Sequence, residues 1–166
     1  MTASEVVLRE FGTTGEDAAV VSLRSGALTV EIGFSSARAF AGQEIGFFAN
    51  FALEPGWHVY GRPLPTPYAA VSIDFDDSRI VRQLFEPPEA RPMKIDALNE
   101  TLPVYSGSFR GLGSLLLKFP FEAGHTMVTG KLHFQQCSET VCEAPETLSF
   151  ELPLTIEPFM VAPRTK

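Results

Sequence analysis

Apolar residues recur at every second position along most of this chain, which is the period of a half-buried strand and not of a helix. Leu28, Val30, Ile32 and Phe34 share one face, and Ile45, Phe47, Ala49, Phe51 and Leu53 share another. The alternation returns at Val71, Ile73 and Phe75, and again at Leu148, Phe150, Leu152, Leu154 and Ile156. Turn signals separate these runs: Arg24-Ser25-Gly26, Glu54-Pro55-Gly56, Asp76-Asp77-Ser78, Glu86-Pro87-Pro88, Ser106-Gly107 and Glu122-Ala123-Gly124. The pattern predicts strands near 18–24, 27–35, 44–53, 57–60, 69–75, 79–85, 103–109, 113–121, 126–136 and 147–156. No stretch offers a helical stripe.

Short strands at spacings of about ten residues predict an all-β chain folded as an immunoglobulin-like antiparallel β-sandwich, with a closed barrel as the competing architecture. One domain is expected over residues 18–157, after a flexible leader at 1–17 and before a tail or linker at 158–166. The segment Phe85 to Leu102 mixes Met93, Ile95 and Leu98 with charges and prolines, and reads as a long functional loop, a lid.

Composition supports a packed core. The 166 residues are 45% hydrophobic, with 14 Phe, and only 20% charged, so wholesale disorder is not expected. A net charge of −7 without a Lys/Arg cluster argues against nucleic acid and anionic membrane surfaces as partners. No apolar run is long enough to span a bilayer. The start, Met1-Thr2-Ala3-Ser4-Glu5, lacks the basic-then-apolar pattern of an export signal.

The chemistry centres on the two cysteines, Cys137 and Cys142. A bridge closing so short a loop gains only about 2 kcal/mol from chain entropy, a small return for a domain with a large core. A pair this close can be made and broken without rearranging the rest of the chain, so one reading is a reversible dithiol and disulfide. The other is a permanent bridge or two inert thiols. Glu139, Glu143 and Glu146 are negative neighbours that disfavour a thiolate. A partner with a lower thiol pKa, such as a thioredoxin-like protein, then becomes the attacker. The turn Glu143-Ala144-Pro145 favours Cys142 as the partner-facing sulfur and Cys137 as the resolving one, while the sequence by itself leaves the order of attack open. Cycling through a disulfide calls for an oxidising compartment, hence export with a signal peptide trimmed from this sequence.

Other residues compete for attention. His133, with His58, His125 and the cysteines, frames an alternative zinc or copper(I) carrier, although a solvated strand histidine is the default reading. Met93 and Met127 read as gap-fillers. In Pro55-Gly56-Trp57-His58-Val59-Tyr60-Gly61-Arg62, the alternate residues His58 and Tyr60 either face the cysteines or anchor the core. No nucleophile elbow, metalloprotease helix, P-loop or dinucleotide glycine motif occurs, and no cofactor or resident metal is expected.

Gly56-Trp57-His58-Val59-Tyr60, Val104-Tyr105-Ser106-Gly107 and Cys137-Ser138-Glu139-Thr140-Val141-Cys142-Glu143-Ala144-Pro145-Glu146-Thr147 together resemble the N-terminal periplasmic domain of the thiol:disulfide interchange protein DsbD, across about residues 25–156. The resemblance implies an immunoglobulin-like sandwich acting in the periplasm as a protein-disulfide reductase component. Its cysteines, Cys137 and Cys142, would take electrons from a thioredoxin-like donor. They would pass them to a periplasmic disulfide isomerase or a thioredoxin-like cytochrome maturation protein. It also allows attachment to a membrane electron-transfer domain in a longer protein. In that family a cap loop shields the cysteines. The matching stretch here is Lys94 to Glu100, where Asp96 keeps the acidic cap position and Leu98 replaces an aromatic residue. His58 and Tyr60 fall on paired tyrosine positions, so only Tyr60 is carried over unchanged. The rival from another class is an immunoglobulin-like protein-binding module with a static disulfide.

Overall fold

The computed structural model describes residues 5–8, 18–96 and 98–159. All its regular elements are strands: β1 (Glu5–Leu8), β2 (Ala19–Ser25), β3 (Leu28–Phe34), β4 (Arg38–Phe40), β5 (Glu44–Leu53), β6 (His58–Tyr60), β7 (Ser72–Phe75), β8 (Ile80–Glu86), β9 (Arg91–Ile95), β10 (Glu100–Ser106), β11 (Ser108–Leu117), β12 (Gly124–Phe134), β13 (Gln136–Cys137) and β14 (Glu146–Glu157). They form a six-stranded sheet ordered β1-β2-β3-β5-β11-β8 and two four-stranded sheets, β4-β14-β12-β7 and β13-β6-β10-β9. Every strand pairing is antiparallel except β4 with β14. This is the expected all-β immunoglobulin-like sandwich.

The alternating residues meet where the two larger sheets face each other. Val30 lies opposite Phe51, Ile32 opposite Ala49 and Phe34 opposite Phe47, all buried against Val128, Leu132, Phe134, Phe150, Leu152 and Leu154 of the facing sheet. Phe75 knits the layers, edge-on to Phe47 at 5.0 Å and to Phe150 at 5.5 Å between ring centroids. Burying a large apolar side chain contributes about 1.5–3 kcal/mol, so this interior supplies the stability that a small disulfide loop does not.

The segment Phe85 to Leu102 is not one long loop. β8 runs to Glu86, and Arg91–Ile95 and Glu100–Ser106 form a hairpin with Leu102 opposite Met93. Only residues 87–90 and the hairpin turn are irregular, and Tyr105 donates its hydroxyl hydrogen to the Pro88 carbonyl at 2.5 Å, tying the connection down. Gly61 lets this connection come close, since a Cβ there would stand 2.6 Å from Ala90 Cβ. Within the expected leader, Glu5–Leu8 pairs with β2; the rest of 1–17 and the tail from 160 onward lie outside the described residues.

The third sheet has two different faces. Val59 and Tyr105 point into the main core. One position along, Tyr60, Val104, Leu102, Ile95 and Cys137 form a second, smaller core. Alternation of successive side chains assigns the two faces of each strand to different interiors.

Candidate active site

The cysteines sit in a hairpin made for their approach. Glu143 N–H donates to the Gln136 carbonyl at 3.0 Å and Ser138 N–H to the Val141 carbonyl at 2.7 Å, so Cys137 and Cys142 face each other between two hydrogen-bonded rungs. Such non-hydrogen-bonded pairs bring side chains closest in an antiparallel ladder. Their Cα atoms are 4.1 Å apart and the two sulfurs are joined as a disulfide. Ser138 Oγ accepts the N–H groups of Thr140 and Val141, at 3.3 and 3.1 Å, which fixes the loop between the cysteines.

The two preceding glutamines hold this hairpin in place. Buried Gln136 accepts the Ala27 N–H at 3.1 Å and donates to the Ser25 carbonyl at 3.0 Å, locking onto the turn between β2 and β3. Gly26 in that turn has φ +56 and lies so close that a Cβ would stand 2.8 Å from the Gln136 amide nitrogen. Gln135 accepts the Ala69 N–H and donates to the Glu143 carbonyl, each at 3.0 Å. Sequence reasoning missed both glutamines. A polar pair directly before the first cysteine, at strand positions that ought to be apolar, was the available signal.

Around the sulfurs the environment is asymmetric. Cys137 is wholly buried, whereas Cys142 is partly exposed beside exposed Val141. The Tyr60 hydroxyl reaches Cys137 Sγ at 3.0 Å and Cys142 Sγ at 3.6 Å. Burial, then the neighbouring Tyr68 and Glu100, push the Tyr60 phenol above its ordinary value, so it keeps its proton and serves as a hydrogen-bond donor to sulfur. Leu98, at the tip of the β9–β10 hairpin, packs on the small core, as do Leu64 and Tyr68 from the proline-rich segment after β6. Tyr68 lies 5.7 Å from Tyr60 between ring centroids. Leu64 and Tyr68 were not singled out in the sequence, because nothing local ties them to the cysteines.

The other expected surround residues separate into two groups. His58 is buried, and pairs across the ladder with Cys137 on one side and Ser106 on the other. Burial pushes its imidazole below the ordinary value, and its Nε2 is the buried side-chain polar atom without a hydrogen-bond partner among the described residues. Asp96 is exposed; it lines, with Trp57, His58, Ser106, Ser138 and Glu139, a cleft of about 460 Å³ beside the cysteine loop.

The His133 ring is engaged by neighbours on its own sheet and not by the cysteines. Its ring nitrogens are taken by Asp74 at 2.5 Å and Thr147 at 2.9 Å. No group of three His, Cys, Asp or Glu among the described residues is placed to hold a metal ion.

A β-sandwich with a hairpin disulfide, half covered by its own small core, defines a thiol–disulfide interchange domain. The family described as "Thiol:disulfide interchange protein DsbD, N-terminal" matches residues 30–154, and the chain belongs to it. Among solved structures, the N-terminal periplasmic domain of ScsB from Proteus mirabilis is similar over 80% of this chain, with a TM-score of 0.58 and 16% identity, which shows a shared fold. The chain spans about half of that protein's length, 47%. The reduced DsbD N-terminal domain of Neisseria meningitidis is similar over 69% of this chain and 82% of its own, with a TM-score of 0.44 and 15% identity. No curated protein matches the sequence.

Proposed function

We propose that this domain relays electrons in the periplasm through a reversible Cys137–Cys142 disulfide. A thiolate of a thioredoxin-like donor attacks Cys142 Sγ. The intramolecular S–S bond breaks, and its electron pair goes to Cys137 Sγ. The donor's second thiol then displaces Cys142, leaving the donor oxidised and this domain as the dithiol. The reverse sequence delivers the electrons to the disulfide of a periplasmic isomerase or a thioredoxin-like cytochrome maturation protein. In a longer protein, the domain would serve a membrane electron-transfer unit in the same way.

The observation that carries this reading is the unequal exposure of the sulfurs, with Cys137 fully buried and Cys142 partly open. An incoming thiolate needs a line of approach to one sulfur only, and the second makes a shielded leaving group. The test has two parts. Equilibration in dithiothreitol or glutathione buffers, with thiols counted by alkylation mass shift, should give a reversible potential above the roughly −300 mV typical of structural bridges. A thioredoxin-like partner lacking its resolving cysteine should be trapped by the Cys137→Ser variant and not by Cys142→Ser. Trapping only through Cys137 would reverse the assignment. A bridge that resists reduction until the fold melts would favour the static binding module.

A further inference from the structure

One row of side chains crosses the small sheet. Cys142 faces Cys137, Cys137 faces His58, and His58 faces Ser106, each directly opposite its neighbour across an antiparallel rung. Residues so paired point to the same side, with Cβ atoms about 4.5–5.5 Å apart. His58 therefore flanks Cys137 on the side away from Cys142. Its ring also lies against Tyr60, at 5.8 Å between centroids, and the Tyr60 hydroxyl touches both sulfurs.

Relay chemistry sets a problem at Cys137. When the domain gives up its electrons, the Cys137 thiol must lose a proton before it can attack the mixed disulfide on Cys142, and it must do so away from solvent. Tyr60 cannot keep that proton, because its phenol already carries one and a protonated phenol oxygen is far too weak a base to hold a second. Lys94, Asp96 and Glu139 also line the cleft beside His58, but all three are exposed to solvent. Glu100, the acid acting on Tyr60, is exposed as well. His58 is a buried base on this row, with a ring nitrogen that no other group engages.

We infer that His58 is the proton acceptor for Cys137 in the step that closes the disulfide. This inference rests on the relay reading above. The Cys137 thiol proton passes to the imidazole, and the sulfur's electron pair forms the bond to Cys142 Sγ. The bond between Cys142 and the acceptor's sulfur breaks, and the departing thiolate takes up a proton as His58 returns to its neutral form. In the opposite direction the neutral ring takes up the proton that the donor's attacking thiol gives up and passes it to the Cys137 thiolate released by the attack. Burial, which disfavours the charged ring at rest, keeps His58 neutral and ready to accept.

The test follows closure directly. Reduced protein is mixed with glutathione disulfide at pH values from acid to alkaline and quenched at intervals. The mixed disulfide and the closed form are then separated by mass. In the unaltered protein the closure rate should rise through the acid range and level off by about pH 6.5, the ordinary value for imidazole. His58→Phe should slow closure at least tenfold at neutral pH and replace the level region with a tenfold rise per pH unit. His58→Gln, which keeps a polar side chain, should behave in the same way and stands in if the Phe variant does not fold. A tenfold rise per unit throughout in the unaltered protein would overturn the inference. So would variants that are slower but keep the level region, or that match the unaltered protein. If the unaltered protein forms neither mixed disulfide nor closed product, the relay reading itself falls.

Discussion

The Tyr60 hydroxyl stands 3.0 Å from the buried Cys137 sulfur, nearer than its 3.6 Å to Cys142. The hydrogen bond favours whichever state places charge on Cys137, which is the leaving sulfur when Cys142 is attacked. Bonds to charged acceptors are worth about 1.5–3 kcal/mol, against roughly 1 for neutral ones. Tyr60→Phe in a Cys142→Ser background should therefore shift the pH midpoint of Cys137 alkylation upward by about one unit or more. An unchanged midpoint would mean that the hydroxyl serves packing alone.

Leu98, at the tip of the β9–β10 hairpin, is half-buried on the small core. Leu98→Ala should leave the main interior untouched and uncover Cys142. Reduction by dithiothreitol should speed up several-fold, for a stability loss of about 1 kcal/mol, below the range for fully buried leucines. Urea melts beside reduction kinetics would check both halves.

Removing Gln136 acts from a distance. Gln136→Leu strands the Ala27 N–H and the Ser25 carbonyl in the interior, and each unsatisfied group costs about 1–3 kcal/mol. A loss of roughly 2–4 kcal/mol in chemical denaturation is expected. A loss below 1 kcal/mol would show that water replaces the amide.

Acid should weaken the fold through Asp77. Hydrogen bonds from Arg79, at 2.7 and 2.9 Å, hold the Asp77 carboxyl below its ordinary value, and Arg79 in turn reaches Thr126 Oγ1 and the Met127 carbonyl. The stabilisation is present above the unfolded carboxyl value near 3.9 and is lost as pH falls through the lower folded value. Asp77→Asn should cost about 2 kcal/mol at pH 7, and the gap from the unaltered protein should close in strong acid. Melting curves across pH 2–7 would show it.

His58 adds a second acid sensitivity at milder pH. Its folded value lies below the unfolded one, so above about 6.5 both states are neutral and nothing is lost. As pH drops below that, the unfolded chain binds a proton that the fold refuses, and stability falls by at most about 1.4 kcal/mol per unit until the folded value is reached. His58→Phe should abolish this slope between pH 6.5 and the folded value. If the slope persisted, another group would be its source.

The sandwich was legible in the sequence because its strands are long and one-sided. Ile45, Phe47, Ala49, Phe51 and Leu53 are all buried, as the alternation requires. The missed strands are those without a period to read. Arg38–Phe40 is three residues and Gln136–Cys137 two, while Arg91–Ile95 is exposed at every residue but the last. Such strands exist because a neighbour offers hydrogen bonds, which no local pattern records. Tyr60 could be placed near the cysteines from its motif. The isolation of the His58 ring could not, since it depends on Cys137 and Ser106 arriving from distant parts of the chain.

In the small sheet, neighbouring residues have separate duties. Val59 and Tyr105 answer to the scaffold, while His58, Tyr60, Val104 and Ser106, their immediate neighbours, border the chemistry. Substitutions at every other position can therefore retune the environment of the sulfurs without entering the main interior. A lineage built on this frame can alter the surroundings of its cysteine pair while the fold beneath stays as it was.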